Sequence, residues 1–198
     1  MSHEEKHMLS RPARAFAIPL LFFAALSLSF PALAAKKTEE ELIAQLSSTD
    51  EGKVTGALQD LEKQYPESPT TRAKIISMLK DPREKVQRKA ARVLGAIHAK
   101  VDAKVLADIT PLLKSTNKDA VIDGLKALRG LDAASTVPQI LPLLASPDEN
   151  IKRDSCRTLA EIASPTVISK IEPLLNDPNK KVQEDARAAI DRLKLKGK

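Results

Sequence analysis

Arg88, Arg92, Lys126, Arg153 and Arg157 are the residues whose type and spacing could do chemistry here. Arg88 and Arg92 stand four positions apart, as do Arg153 and Arg157, so each pair shares one face of a helix. A row of guanidinium and ammonium groups binds carboxylates or phosphates and catalyses nothing unaided. Residues that could catalyse are scarce. All four phenylalanines lie in the first 34 residues, and beyond them the chain has one tyrosine (Tyr65), one histidine (His98) and one cysteine (Cys156). A nucleophilic triad, a metal cage or a histidine acid–base pair needs several convergent donors, and His98 and Cys156 are alone of their kind. Carboxylates are scattered through segments such as "PDEN" and "QEDA", and the six glycines are dispersed rather than gathered into a phosphate loop. No catalytic residue, cofactor or metal is expected. His98 is expected to close a helix, its ring meeting the carbonyl end. Cys156 is expected to be a semi-buried inert thiol; the sharper alternative is a reactive thiol whose pKa is lowered by Lys152, Arg153 and Arg157.

The elements that must position these residues repeat. Leu46, Leu79, Leu113, Leu144 and Leu175 recur at spacings of 33, 34, 31 and 31 residues, the mark of a solenoid. Seven residues past the leucine come Val86, Ala120, Ile151 and Val182; eleven past come Ala57, Ala90, Gly124, Ser155 and Ala186; fifteen past come Leu61, Leu94, Leu128, Leu159 and Ile190. With Ile97, Leu131, Ile162 and Leu193 three further on, these positions form one stripe of a 3.6-residue helix, small where two helices must approach. The first unit fits less well, as a terminal cap does, with Lys53 in place of the valine and Val54 one position late. A second amphipathic helix precedes each leucine, and Pro111, Pro142 and Pro173 inside three of them predict a kink. Asp81-Pro82, Ser146-Pro147 and Asp177-Pro178 read as N-caps followed by proline at the first helical position, with Glu84 and Glu149 closing capping boxes. The five units span about 38–66, 67–98, 102–131, 133–163 and 164–195, and no strand signal intervenes.

The Asp-Pro turn, the kinked first helix and the Val, Ala, Leu, Ile ladder resemble HEAT repeats, in the short bacterial form also found in phycobilisome lyases. The resemblance implies an all-α fold, a right-handed α-α superhelix of the armadillo type whose second helices line a concave face. Arg92, Lys126 and Arg157 would then stand as a column in the groove. Glu184 and Ala188 end that column in the fifth unit. The arginine that often follows the ladder valine in the family is replaced by Gln87, Val121, Lys152 and Gln183.

Residues 1–34 read as a secretory signal peptide: Arg11 and Arg14, an apolar run, then Ala32 and Ala34 before a cut. Residues 35–198 form the repeat domain. Cleavage leaves 29 basic and 24 acidic side chains, a mild +5. Export with a single cysteine leaves stability to packing rather than to an internal disulfide. Export and the lack of stacking aromatics argue against a nucleic-acid ligand. The chain is expected to be periplasmic or secreted, with no membrane span after cleavage, and to act as a non-enzymatic scaffold. It would hold an acidic protein partner through Arg88, Arg92, Lys126, Arg153 and Arg157. The alternative is a lyase-like or transferase accessory that handles a cofactor or pigment.

Overall fold

Five turns share one construction. Ser48, Asp81, Ser115, Ser146 and Asp177 each stand two residues past the repeating leucine. Their side-chain oxygens accept from the backbone N–H groups of Asp50, Arg83, Asn117, Asp148 and Asn179 over 2.8–3.2 Å, the Asx- and ST-turns that reverse a chain locally. The computed structural model describes residues 36–198, so the signal peptide expected over residues 1–34 lies outside the described residues. Among those described there is no strand, and no helix is long and apolar enough to cross a membrane.

The turns deliver the chain into hairpins. The first pairs α1 (Glu39–Gln45) with α2 (Glu51–Gln64), and the second pairs α3 (Pro69–Ser77) with α4 (Glu84–Ala96). Then come α5 (Ala103–Ile109) with α6 (Lys118–Gly130), α7 (Val137–Ile140) with α8 (Glu149–Ile162), and α9 (Ile168–Ile171) with α10 (Lys180–Lys196). The expected kinks take a definite form. At Thr110–Lys114, Leu141–Ala145 and Glu172–Asn176 the first helix tightens into a 3-10 segment whose second residue is Pro111, Pro142 or Pro173. A proline donates no N–H to an α-helical ladder, and the tighter winding accommodates it.

Capping differs from the sequence expectation. Asp50, Asn117, Asp148 and Asn179 are the N-caps and accept from first-turn N–H groups, while Arg83 caps without a side-chain bond. Pro82, Pro147 and Pro178 therefore precede the cap instead of following it, and Glu84 and Glu149 open their helices instead of closing capping boxes. The turn moves each helix start two residues on, which leaves those glutamates facing the neighbouring repeat. Glu84 accepts from Ser115 Oγ at 2.8 Å and Asn117 Nδ2 at 2.7 Å, and Glu149 bonds Asn179. Lys118 reaches Asp148 at 2.8 Å in the same register. These bonds hold the Glu84 and Asp148 carboxyls below the usual carboxylate range. Among the described residues the capping box is found in α1, between Thr38 and Glu41.

The apolar stripe is the core. Leu61, Leu94, Leu128 and Leu159 have no exposed surface, and Ala57, Ala90, Gly124, Ser155 and Ala186 are buried beneath the first helix of their own repeat. Val54 occupies the first unit's valine site, fully buried. Each buried leucine or valine side chain contributes roughly 1.5–3 kcal/mol on leaving water. Gly95 and Gly130 bring α4 and α6 together: a Cβ on Gly130 would lie 2.3 Å from the Gly95 carbonyl oxygen, and one on Gly95 would lie 2.8 Å from Ala127 Cα. The second helices pack in series, α2 on α4, α4 on α6, α6 on α8 and α8 on α10, whereas first helices touch their neighbours lightly. A stack that is closer in one layer bends towards it, so the second helices form the inner face.

Candidate partner-binding groove

The inner face is an alternating ladder rather than a plain cationic column. Asp123, Asp154 and Asp185 occur ten residues past their leucines, and each meets the arginines of another repeat. Arg88 of α4 places Nε and Nη2 both 2.9 Å from Asp123 Oδ2, and Asp119 lies 3.5 Å from the same guanidinium. Arg92 Nε stands 3.6 Å from Asp123 Oδ1. One step on, Arg129 of α6 is 4.0 Å from Asp154. At the next, Arg153 Nε donates to Asp185 Oδ2 at 2.7 Å, and Arg157 donates through Nε to Oδ1 at 3.0 Å and lies 2.9 Å through Nη2 from Oδ2. Planar guanidinium forks suit this two-oxygen recognition. Three of the four residues after the ladder valine, all but Val121, join a second set of bonds. Lys152 bonds Asp177 in the next repeat's turn, while Gln87 and Gln183 donate to the Asp81 and Asp177 carbonyls of their own turns at 2.6 and 2.7 Å.

Five cations expected to face a partner thus divide into two kinds. Arg88 and Arg153 are mostly buried, with 19% and 22% of their side chains exposed, and are occupied by Asp123 and Asp185. They set the register between repeats. Arg92, 54% exposed, keeps only the long contact to Asp123. Arg157 is 42% exposed and forked on Asp185. Lys126 is exposed and has no carboxylate within 4.0 Å among the described residues. Arg92 and Lys126 line a cavity of about 490 Å³ with Lys89, Arg129, Glu62 and Glu161, over a floor of Gly95, Ala96 and Gly130. Missing Cβ atoms at Gly95 and Gly130 let the two helix backbones meet beneath it. Four cations and two glutamates thus line the cavity.

His98 also lines this cavity. It adopts the left-handed conformation, φ 46°, one residue past the C-cap of α4. Ala99 N–H and His98 N–H return to Leu94 and Gly95, the Schellman arrangement without its usual glycine. The ring caps a helix end, but that of α6 rather than its own: Nδ1 lies 2.9 Å from the Gly130 carbonyl oxygen. A carbonyl only accepts, so Nδ1 carries the proton. Cys156 is wholly buried in α8, not semi-buried, and burial, aided by Asp185, pushes its thiol up to about 12. The flanking Lys152, Arg153 and Arg157 turn to Asp177 and Asp185, which removes the reactive-thiol alternative. Among the described residues no group of three or more His, Cys, Asp or Glu side chains is placed to hold a metal.

The Asp ladder was available to a reader of the sequence, since three consecutive units carry aspartate at one register. It has no local signature, because its partners in other repeats lie 25–35 residues away.

A family model of HEAT repeats matches residues 109–191, and no curated protein matches the chain. The fold is similar to the complex of CpcE and CpcF of phycocyanin lyase from Nostoc sp. PCC7120, with TM-score 0.70 and 22% identity over 85% of this chain and 70% of that one. It is also similar to a designed armadillo repeat protein in complex with the peptide (KR)4, with TM-score 0.62 and 17% identity over 77% of this chain and 80% of that one. An engineered protein shares the fold at TM-score 0.60 and 22% identity, over 79% of each chain. Three hairpins in the matched segment and two before it repeat one turn, one ladder and one inner-face geometry; the described chain is an α-solenoid of the HEAT/armadillo fold type, and its residues 109–191 match a family model of HEAT repeats.

Proposed function

We propose that this protein is an exported, non-enzymatic scaffold that holds an acidic protein segment on its inner face. The observation that carries this reading is the pair Arg92 and Lys126. They stand exposed over one cavity while the deeper cations beside them are paired to carboxylates of the same chain. A stacked solenoid presents such a surface pre-shaped, at little ordering cost on binding. The designed armadillo repeat protein solved with (KR)4 carries a strongly basic ligand; a groove of opposite sign suits an acidic one. Arg88, Arg153 and Arg157 hold the groove in register, and Arg92 and Lys126 make the contact. Export to the periplasm or medium follows the signal-like residues 1–34.

The test is crosslinking in the native host, comparing wild type with Arg92→Glu/Lys126→Glu. Both side chains are exposed, so the variant keeps its helical circular dichroism. One acidic protein recovered with wild type and lost with the variant is the expected outcome; the same proteins recovered with both overturns it.

A second reading, an accessory that handles a pigment or cofactor for a lyase or transferase, draws on the likeness to the phycocyanin lyase complex. It predicts an absorbing or mass-detectable small molecule on protein purified from its host. A colourless preparation with only the polypeptide mass removes it.

A further inference from the structure

The groove does not end at its cations. Glu161, which closes the cavity around Arg92 and Lys126, also lines a second one of about 520 Å³ between α8 and α10. This second slot is apolar in its floor and walls: Ala160, Ala188, Ala189 and Leu195. Its rim cations are neutralised, Arg157 by Asp185 at 2.9 Å and Arg192 by Glu161 at 2.5 Å. Leu195 is 69% exposed and is the one large hydrophobic side chain among the described residues left in water. The register that carries Arg92, Lys126 and Arg157 carries Ala188 in the fifth repeat, so the column gives way to an apolar site. Elsewhere the outer side of α10 is polar, with Lys181, Glu184, Arg187, Asp191 and Lys194 exposed, as a terminal cap requires.

We infer that the inner groove takes one extended segment with two features, acidic residues over Arg92 and Lys126 and a leucine-sized apolar side chain in the Ala160, Ala188, Ala189, Leu195 slot. This rests on the acidic-segment reading above and adds the anchor, its place and its distance. The two sites are two inter-helix steps apart, about 16–20 Å at ordinary helix packing distances. An extended chain covers that in about five or six residues. Charge draws the acidic end to the basic cavity, and the neutral slot beyond it favours a side chain without charge. Acidic residues alone would be weakly discriminated, because exposed ion pairs are worth little; the apolar anchor fixes register along the groove.

The experiment uses labelled synthetic peptides with a four-glutamate block, a six-residue Gly/Ser spacer and a terminal leucine, made in both chain polarities. Control peptides carry serine for the leucine, or a two-residue spacer. Affinities for the full chain are read by fluorescence anisotropy at low salt. The leucine peptide of one polarity should bind about tenfold more tightly than its serine and short-spacer controls, the scale expected for burying most of one such side chain. Leu195→Ser and the neutral Ala188→Gln should erase that tenfold difference while leaving the serine peptide's affinity unchanged. Arg92→Glu/Lys126→Glu should weaken both peptides. Equal binding of leucine and serine peptides overturns this inference and leaves the acidic reading standing; binding that ignores Arg92→Glu/Lys126→Glu overturns both. A concentration-dependent dimer in sedimentation, lost on Leu195→Ser, would assign the slot to a second copy and overturn the inference too.

Discussion

Arg157 in α8 and Asp185 in α10 form a two-pronged pair, Nε to Oδ1 at 3.0 Å and Nη2 to Oδ2 at 2.9 Å. Arg153 donates to the same carboxylate from one turn away. The arrangement recurs between α4 and α6, where Arg88 and Arg92 converge on Asp123. These side chains, together with the turn-to-turn bonds of Glu84, Lys118, Glu149 and Lys152, add directional contacts between hairpins to an apolar packing that has no directional preference and tolerates sliding. The ionic rungs therefore specify how one repeat stacks on the next, a role charged groups perform better than net stabilisation.

Asp123→Ala should destabilise the protein by about 1–3 kcal/mol, because it leaves the mostly buried Arg88 guanidinium without its partner. Removing Arg88 as well should recover part of that loss. Urea unfolding of the two single variants and the double variant measures the coupling, expected at about 0.5–1.5 kcal/mol after discounting for partial exposure. Lys126→Ala, with no carboxylate within reach among the described residues, should change stability by less than about 0.5 kcal/mol. Equal effects at Asp123 and Lys126 would contradict the division between register and contact residues.

The helical hairpins and buried stripe were legible because they are local. A 3.6-residue period places Val86, Ala90 and Leu94 on one helix face whatever surrounds them. The 3-10 winding at Pro111, Pro142 and Pro173 was legible as a kink because proline acts on its own backbone. Glu84 was misread because a cap followed three residues later by glutamate fits a capping box and an inter-repeat bond equally well. Only the Asx-turn at Asp81, which moves the helix start to Glu84, decides between them. The carboxylates that occupy Arg88 and Arg153 were illegible for the opposite reason. Arg88 and Asp123 are 35 residues apart, and nothing near either announces the other. Ala188 was noticed as a break in a cationic row, but its place in an apolar slot depends on Ala160 and Leu195.

Stability should fall on the acid side. The carboxyls of Glu39, Asp81, Glu84, Asp148 and Asp177 are all held below their ordinary values by hydrogen bonds, to Ser68 and Thr71, Arg83, Ser115 and Asn117, Lys118, and Lys152 respectively. A depressed folded pKa means the unfolded chain binds protons first, so this stabilisation is complete above the unfolded values, about 3.9 for Asp and 4.3 for Glu. It is lost as pH falls through the lower folded values. The urea midpoint should be flat from pH 7 to about 5 and drop steeply below 4. Asp148→Asn and Asp177→Asn should each shallow the drop. An acid limb identical in wild type and both variants would show that the turn-to-turn bonds carry none of it.

Two glycine substitutions should act in opposite directions. Gly130→Ala places a Cβ 2.3 Å from the Gly95 carbonyl oxygen, which is backbone and cannot rotate away. Parting α4 and α6 at the cavity floor should cost about 1–3 kcal/mol or more. Gly56, inside α2, has nothing within 4 Å of its Cβ position. Gly56→Ala should stabilise by about 0.5–1 kcal/mol through helix propensity and a less disordered unfolded chain. Thermal unfolding of both separates close approach from mere helix position; a destabilising Gly56→Ala would refute the explanation.

Cys156 should report unfolding rather than redox state. Its thiol is pushed up to about 12 and has no exposed surface, so at pH 8 almost none is thiolate and none is reachable by a bulky reagent. Native protein should fail to react with Ellman's reagent over hours and release one equivalent at once in denaturant. Because α8 lies between α6 and α10, the slow native rate measures opening of the stack there. Asp123→Ala, which loosens the rung between α4 and α6, should accelerate the reaction less than Asp185→Ala, which removes the rung directly over α8. Prompt reaction in the native protein, or equal acceleration by the two variants, would show that the thiol is not held by the α8–α10 contact.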